Sequence, residues 1–244
     1  MTNQRGQAPG DDRFDAAQAV ARSAGALALD YFRRAETLVV EHKGSQDLVS
    51  EADRETERHI RQELQSAFPV DAFMGEEHGY TEGSPGDGTW VVDPIDGTQP
   101  FLLGLPTWCI SIAYVADNRA QIGVIYNPAT DELYCAQAGV GAFVNGVPIR
   151  VRQADSLADG LTGVGCSPRT TPEHLADIMR NLLQRGGMYQ RTGSGALNLV
   201  YANSERGGLE TWRTLVQTYK PTGVHQAWAD VNIIQSPSRE KDGQ

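Results

Sequence analysis

Trp90-Val91-Val92-Asp93-Pro94-Ile95-Asp96-Gly97-Thr98 is the stretch from which the rest of the chain is read. Its opening run is bulky and apolar, the composition of a buried strand. That strand delivers Asp93 at its end. Pro94 fixes φ and turns the chain, which brings Asp96 near Asp93 rather than onto the far face of a continuing strand. Two carboxylates held close repel unless a cation lies between them. Gly97 permits close backbone approach, and Thr98 offers a hydroxyl and an N–H. A helix beginning here would make those N–H groups an anion site. Taken alone, Asp-x-x-Asp-Gly is more often an ordinary type I turn.

Working outward, Ala72-Phe73-Met74 is a second apolar run, and it leads into Gly75-Glu76-Glu77. Adjacent acids are an odd strand ending unless a cation is near, although on a loop they are commonplace. Ser50 resembles an N-cap with Asp53 three residues on, and the helix it opens should reach about Ala67. The Glu/Arg-rich outer face of that helix reads as solvated surface. Asp53 is either its cap or a further acid for the cluster. Lys43-Gly44-Ser45-Gln46 reads as a loop after a short strand at Leu38–Val40. Phe14 to Arg34 has the spacing of an amphipathic helix ending on Arg33-Arg34. Residues 1–12 read as a loose tail.

Downstream, Cys109–Val115, Gln121–Tyr126, Glu132–Ala136 and Ala142–Val144 are strand-like. Asn127-Pro128, Thr130-Asp131 and Asn145-Gly146 supply the turn signals, so this is antiparallel sheet. After about Ser156 the pattern changes. Leu161–Cys166 reads as a strand and Pro172–Arg185 as a helix stopped by Gly186-Gly187. Met188–Arg191 reads as a strand, and Gly193-Ser194-Gly195-Ala196 opens a helix to about Ala202. Beyond Asn203 periodicity is poor, and Ser236 to Gln244 reads as a frayed tail. No internal repeat is visible.

Composition excludes several classes. The 244 residues carry a net charge of −10, which argues against nucleic acid and anionic membranes as partners. Carboxylates that hold divalent cations nevertheless suit a phosphate ligand. The three cysteines, Cys109, Cys135 and Cys166, are widely spaced, which supports neither structural zinc nor a disulfide framework. No apolar h-region and no run of about 18 apolar residues is present, so a cytoplasmic protein is expected. His42, His59, His78, His174 and His225 lack metal-ligand spacing. Gly139-Val140-Gly141 lacks the third glycine of a dinucleotide loop, and Ser194 in Gly-Ser-Gly does not fit a nucleophile elbow.

The joint pattern resembles the inositol monophosphatase family of Mg2+-dependent, lithium-sensitive phosphatases. The resemblance is carried by Asp47-Leu48-Val49-Ser50-Glu51-Ala52-Asp53, Gly75-Glu76-Glu77, Trp90 to Thr98, and Gly193-Ser194-Gly195-Ala196-Leu197, over about Phe14 to Tyr201. It implies that Glu76, Asp93 and the Ile95 carbonyl hold a first Mg2+, and that Asp93 and Asp96 contribute to a second. Oxygen ligands of this kind suit Mg2+. It implies that Asp53 and Thr98 orient the attacking water. Gly97 and Thr98 would grip the phosphate, Asp96 would also bind substrate, and Ser194, Gly195 and Ala196 would approach its alcohol half. Lys43 and Glu77 would support the site.

The resemblance ends near Tyr201. The family's second motif places an acid among aromatics and an Asp after a Trp. Continued without gaps, those positions fall on Trp212 and Tyr219, which cannot serve. Trp228-Ala229-Asp230 is the nearest echo. Losing one carboxylate weakens the second cation and removes a Lewis acid from the leaving oxygen.

The expected fold is therefore α+β in layers, of the sugar-phosphatase kind. An N-terminal half (13–155) would hold a large antiparallel sheet, and a smaller α/β half (156–244) would diverge after about 201. The expected function is Mg2+-dependent hydrolysis of inositol monophosphate or a similar polyol phosphate. The alternatives are a sister phosphatase acting on histidinol phosphate or a nucleotide 3′-phosphate, or a catalytically impaired relative serving as a binding protein. A homodimer is expected.

Overall fold

Asp12–Phe32 forms helix α1, which buries Ala17, Val20, Ala21, Ala24, Gly25 and Ala28. Small residues at that spacing give a smooth stripe that can approach a sheet closely. The computed structural model describes residues 12–34, 40–44, 47–84, 87–150, 156–159, 161–165 and 171–203. β1 (Val40–Gly44) and β2 (Asp47–Ser50) form an antiparallel pair, so Lys43 and Gly44 lie in a strand rather than a loop. Of the expected tail, Asp12 belongs to α1 and the remainder lies outside the described residues, as do Leu38 and Val39. Ser50 immediately precedes helix α2 (Glu51–Ala67), as its N-cap reading requires.

The main sheet is built from β3 (Ala72–Gly75), β4 (Gly79–Thr81), β5 (Thr89–Asp96), β6 (Cys109–Ala116), β7 (Arg119–Asn127), β8 (Glu132–Gln137), β9 (Gly141–Val144) and β10 (Val147–Ile149). A short helix, α3 (Thr98–Leu102), follows β5. The eight strands run in the order β10-β9-β8-β7-β6-β5-β3-β4. All neighbours are antiparallel except β3 and β5. β4 and β10 are too short to have shown a period in the sequence. Asn145-Gly146 closes the β9–β10 hairpin with both residues at positive φ.

Side chains alternate across this sheet. Trp90, Val92, Ile110, Ile112, Ile122, Val124, Leu133 and Cys135 share one core with the buried stripes of α1 and α2. Cys109, Ile125 and Tyr134 face the other way. They pack against Ala196, Leu197, Leu199 and Val200 of helix α5 (Gly195–Asn203). Before α5 the chain forms β11 (Leu161–Gly163), α4 (Pro172–Gln184) and β12 (Met188–Gln190). β11 and β12 are parallel, joined across α4. Pro172 stands at the first turn of α4, and Thr171 caps it by accepting the His174 N–H at 3.2 Å. The result is the expected layered α+β fold, with a large, mostly antiparallel sheet and a small α/β part.

No helix among the described residues is long and apolar enough to cross a membrane.

Candidate active site

β5 does not end at Asp93. It continues through Pro94 and Ile95, and the register with β6 slips: Asp93 pairs with Ser111, and Asp96 pairs with Cys109. Three steps on β5 oppose two on β6, which is a β-bulge. The bulge has a direct chemical result. Without it, Asp93 and Asp96 would point to opposite faces; with it, both share the face that carries Cys109 and α5. The turn expected at Pro94 is thus a bulge, and it brings the acids onto one face by another route. Proline's missing N–H is tolerated because bulged residues leave the ladder.

The one parallel pair in the sheet sets the third acid. Gly75 pairs with Val92, so Glu76, one residue on, stands level with Asp93. The Glu76 N–H donates to the Val92 carbonyl at 3.2 Å, extending that register into the turn. Glu76 and Asp93 lie close enough for the charge of one to act on the other. Burial above all, then the negative charges of Glu76 and Asp96, push the Asp93 carboxyl well above the ordinary carboxylate range, and Asp53 adds to the push. Carboxyls crowded in this way repel one another, and a cation between them would relieve both.

Gly97 has φ of +99° and begins α3 in the left-handed region. A Cβ there would lie 3.0 Å from the Thr107 carbonyl and 3.2 Å from Ser194 Cβ, so conformation and space both demand glycine. Thr98 follows, half-buried. Its Oγ1 is 3.3 Å from Asp53 Oδ1 and 3.3 Å from the Ile95 carbonyl, within donating distance of each. Asp53 is buried in the first turn of α2.

Asp96 is engaged elsewhere. It accepts the N–H groups of Gly195 at 3.2 Å and Ala196 at 2.7 Å, and the Ser194 hydroxyl. Ser194 Oγ in turn accepts the Leu197 N–H at 3.1 Å. Ser194 is the N-cap of α5, and Asp96 completes the cap from the sheet. Thr107 Oγ1, donating to the Thr192 carbonyl at 2.8 Å, ties the loop before β6 to the same turn. Cys109 sits beneath, its Sγ 3.7 Å from Asp96 and 3.6 Å from Ser194 Oγ.

Asp53, Glu76, Asp93, Ile95, Asp96, Gly97, Thr98, Ser194, Gly195 and Ala196 therefore gather where the ends of β3 and β5 meet the starts of α2, α3 and α5. Trp212, Tyr219 and Asp230 lie outside the described residues, and nothing is described of the Lys43 side chain. The donors offered by Glu76, Asp93 and the Ile95 carbonyl are hard oxygens, a set that fits a hard divalent cation. Asp96 is committed to α5, and among the described residues no group of three or more His, Cys, Asp or Glu side chains is drawn together to hold a metal.

Glu57 was not anticipated. It is fully buried, and its carboxylate accepts the N–H groups of Glu77 at 2.7 Å and His78 at 2.9 Å. The signal was present: Asp53, Glu57, Ile60 and Leu64 fall on one helical stripe, and all are buried. The acidic face taken for solvated surface is in part an inward one.

Comparison with known proteins agrees with this frame. The inositol monophosphatase family model matches residues 11–207. An inositol-1-monophosphatase from Rhizobium meliloti is 39% identical, covering 78% of this chain and 71% of that protein. The Nus factor SuhB of Haemophilus influenzae is 33% identical, covering 79% and 75%. The crystal structure of the extragenic suppressor protein suhB from Bartonella henselae superposes with a TM-score of 0.74 at 34% identity, covering 78% of this chain and 74% of the other. The architecture is that of the layered α+β phosphatases. The chain belongs to the inositol monophosphatase family, whose phosphatases are generally metal-dependent.

Proposed function

We propose that this chain hydrolyses inositol monophosphate, or a similar small polyol phosphate, with Mg2+. The observation that carries the reading is the Glu76–Asp93 carboxyl pair, set side by side by the parallel register of β3 and β5. Glu76, Asp93 and the Ile95 carbonyl would hold the cation, and a second would need Asp96 to share its carboxylate between Asp93's side and the cap of α5. A bound divalent cation supplies Lewis acidity to phosphoryl oxygens and favours the ionised form of an attacking water. Asp53 and Thr98 orient that water: the Thr98 hydroxyl can donate to Asp53 and present its lone pairs to the water's proton. The Gly97 and Thr98 N–H groups, at the start of α3, grip phosphate oxygens. Ser194, Gly195 and Ala196 border the alcohol half of the substrate. Catalysis on this plan is positioning and charge stabilisation of an in-line displacement.

The name of a relative as a Nus factor leaves no ground for carrying forward the expectation that nucleic acid is not a partner.

The test is phosphate release from myo-inositol 1-phosphate against Mg2+ concentration, with Asp93→Asn as the blank. Turnover that rises with Mg2+ well above the blank supports the reading. Turnover no higher than the blank, in folded protein, removes inositol phosphate as substrate. One sequence observation favours a second reading: Trp212 and Tyr219 stand where the resemblance requires acids. If other phosphate monoesters also fail, a metal-dependent binding protein takes first place.

A further inference from the structure

Glu57 has an environment that helix stability alone does not explain. Its carboxylate is fully buried on α2, one turn beyond Asp53. Its partners lie on the turn that joins β3 to β4. Oε2 accepts the Glu77 N–H at 2.7 Å. Oε1 accepts the His78 N–H at 2.9 Å and lies 2.7 Å from His78 Nδ1. The fit extends to the preceding residue. A Cβ added to Gly75 would lie 2.3 Å from Glu57 Cδ and 2.4 and 2.5 Å from its oxygens, so glycine is what lets the carboxylate enter the turn.

The residue enclosed by these contacts is Glu76. Gly75 before it lies against the Glu57 carboxylate, Glu77 and His78 after it donate to that carboxylate, and its own N–H is fixed on Val92. A buried acid beside a cluster of acids adds repulsion, and surface elsewhere on α2 was available to it. Its cost is offset by two charge-assisted bonds to backbone N–H groups, which set the direction of the turn.

We propose that Glu57 is a positioning residue that aims the Glu76 carboxylate at Asp93, so that α2 sets both sides of the site: Asp53 orients Thr98, and Glu57, one turn later, orients the turn bearing Glu76. The proposal rests on reading Glu76 and Asp93 as cation ligands. Outer partners of this kind act on metal affinity, typically by about 10–100-fold.

The test measures Mn2+ binding by the metal-free, full-length protein, from the loss of the free-ion electron paramagnetic resonance signal, alongside Mg2+ activation of phosphate release. Glu57→Gln keeps the side-chain volume but sets an amide NH2 against a backbone N–H. Gly75→Ala displaces the turn and leaves the Glu57 charge in place. Both should weaken Mn2+ binding at least about tenfold. Both should also raise the Mg2+ needed for half-maximal rate while kcat at saturating Mg2+ returns close to the wild-type value. Because a metal that binds the folded state also stabilises it, the comparison is made where circular dichroism shows each variant fully folded before metal is added. There a residue that only stabilised the fold would leave the Mn2+ affinity at the wild-type value, and Asp93→Asn should lose activity that excess metal does not restore. If Glu57→Gln fails to fold, Glu57→Asp and Gly75→Ala carry the same measurement. Wild-type Mn2+ affinity in these variants, with Asp93→Asn still impaired, overturns the inference and leaves the phosphatase reading standing. A wild-type protein that binds no Mn2+ overturns both.

Discussion

The Ala196 N–H donates to the Asp96 carboxylate at 2.7 Å, across 100 residues of sequence. One side chain on the bulged end of β5 thereby caps a helix packed on the opposite layer of the molecule. The carboxylate accepts from Gly195 as well, and from the Ser194 hydroxyl. The position is thus structural and, on the proposed function, chemical at once. Asp96→Ala should lose about 1–3 kcal/mol of stability, because two N–H groups at the start of α5 lose their acceptor. Asp96→Asn should lose less, since its remaining oxygen can still accept one of them. Urea unfolding of both variants without metal checks this. Equal stability of Asp96→Ala and wild type would show that α5 does not depend on β5.

Asp93 predicts a conflict between stability and function. Its carboxyl is pushed up by burial first and then by Glu76 and Asp96. A raised folded value means that the native protein holds this proton more tightly than the unfolded chain does. The contribution is fully present below the ordinary carboxylate value of 3.8 and is lost as pH rises through the raised folded value. Metal-free protein should therefore lose stability as pH climbs above the ordinary carboxylate range, and added Mg2+ should restore it. Asp93→Asn should melt several degrees higher than wild type near neutral pH without metal, while losing activity. Thermal melts of both proteins, with and without Mg2+, read this directly. A variant that melts lower under all conditions would show that the carboxyl pair is not a source of strain.

Arg13 and Asp71 make a two-pronged ion pair. Asp71 is buried and accepts Arg13 Nε at 2.9 Å, Arg13 Nη2 at 2.9 Å and the Trp90 indole N–H at 3.0 Å. The guanidinium also lies 4.9 Å from the ring centres of both Phe68 and Tyr114. Removing the cation leaves a buried carboxylate with only the indole. Arg13→Met should cost about 3 kcal/mol, roughly a 6–12 °C fall in Tm. Arg13→Met combined with Asp71→Leu should recover part of that loss, because no uncompensated charge then remains. Additive losses in the double variant would contradict this account.

How much of this was legible beforehand depended on the kind of signal. The convergence of Glu76 with Asp93 could be read because each acid comes at the end of a short apolar run, and the family resemblance fixed their order. Whether the strands run parallel, and in which register, is a tertiary fact that two-residue periodicity does not carry. Pro94 misled for a local reason. Proline usually ends a central strand, and only a bulge lets β5 run past it to Asp96. Glu57 was missed because charge on a helix face is ordinarily solvated. The spacing of Asp53, Glu57, Ile60 and Leu64 said otherwise, but burying an acid depends on backbone N–H groups contributed from 20 residues away. Asp96 was read as a metal ligand and substrate contact, not as a cap, since nothing in its local sequence announces that α5 will begin beside it.

The cysteines give a prediction that depends on burial alone. Cys109 and Cys135 are free and buried. Burial, reinforced by the charge of Asp96, pushes the Cys109 thiol well above its ordinary value, and burial pushes Cys135 up to about 11. Thiolate is the reactive form, so both should resist disulfide-exchange reagents in the native protein at about pH 8. For Cys135 the sign of the stability effect follows. Below the ordinary thiol value of 9.0 both states carry the neutral form, and its contribution is complete. Between there and about 11 the unfolded chain ionises first, so native stability falls as pH rises across that window. In Cys166→Ser the native protein should show no fast-reacting thiol, and two should appear on unfolding in urea. A fast native phase that persists when Cys135 is also replaced by Ser would mean that the face of the sheet covering Cys109, beneath Asp96 and Ser194, opens readily. That would weaken the claim that this cap holds α5 in place.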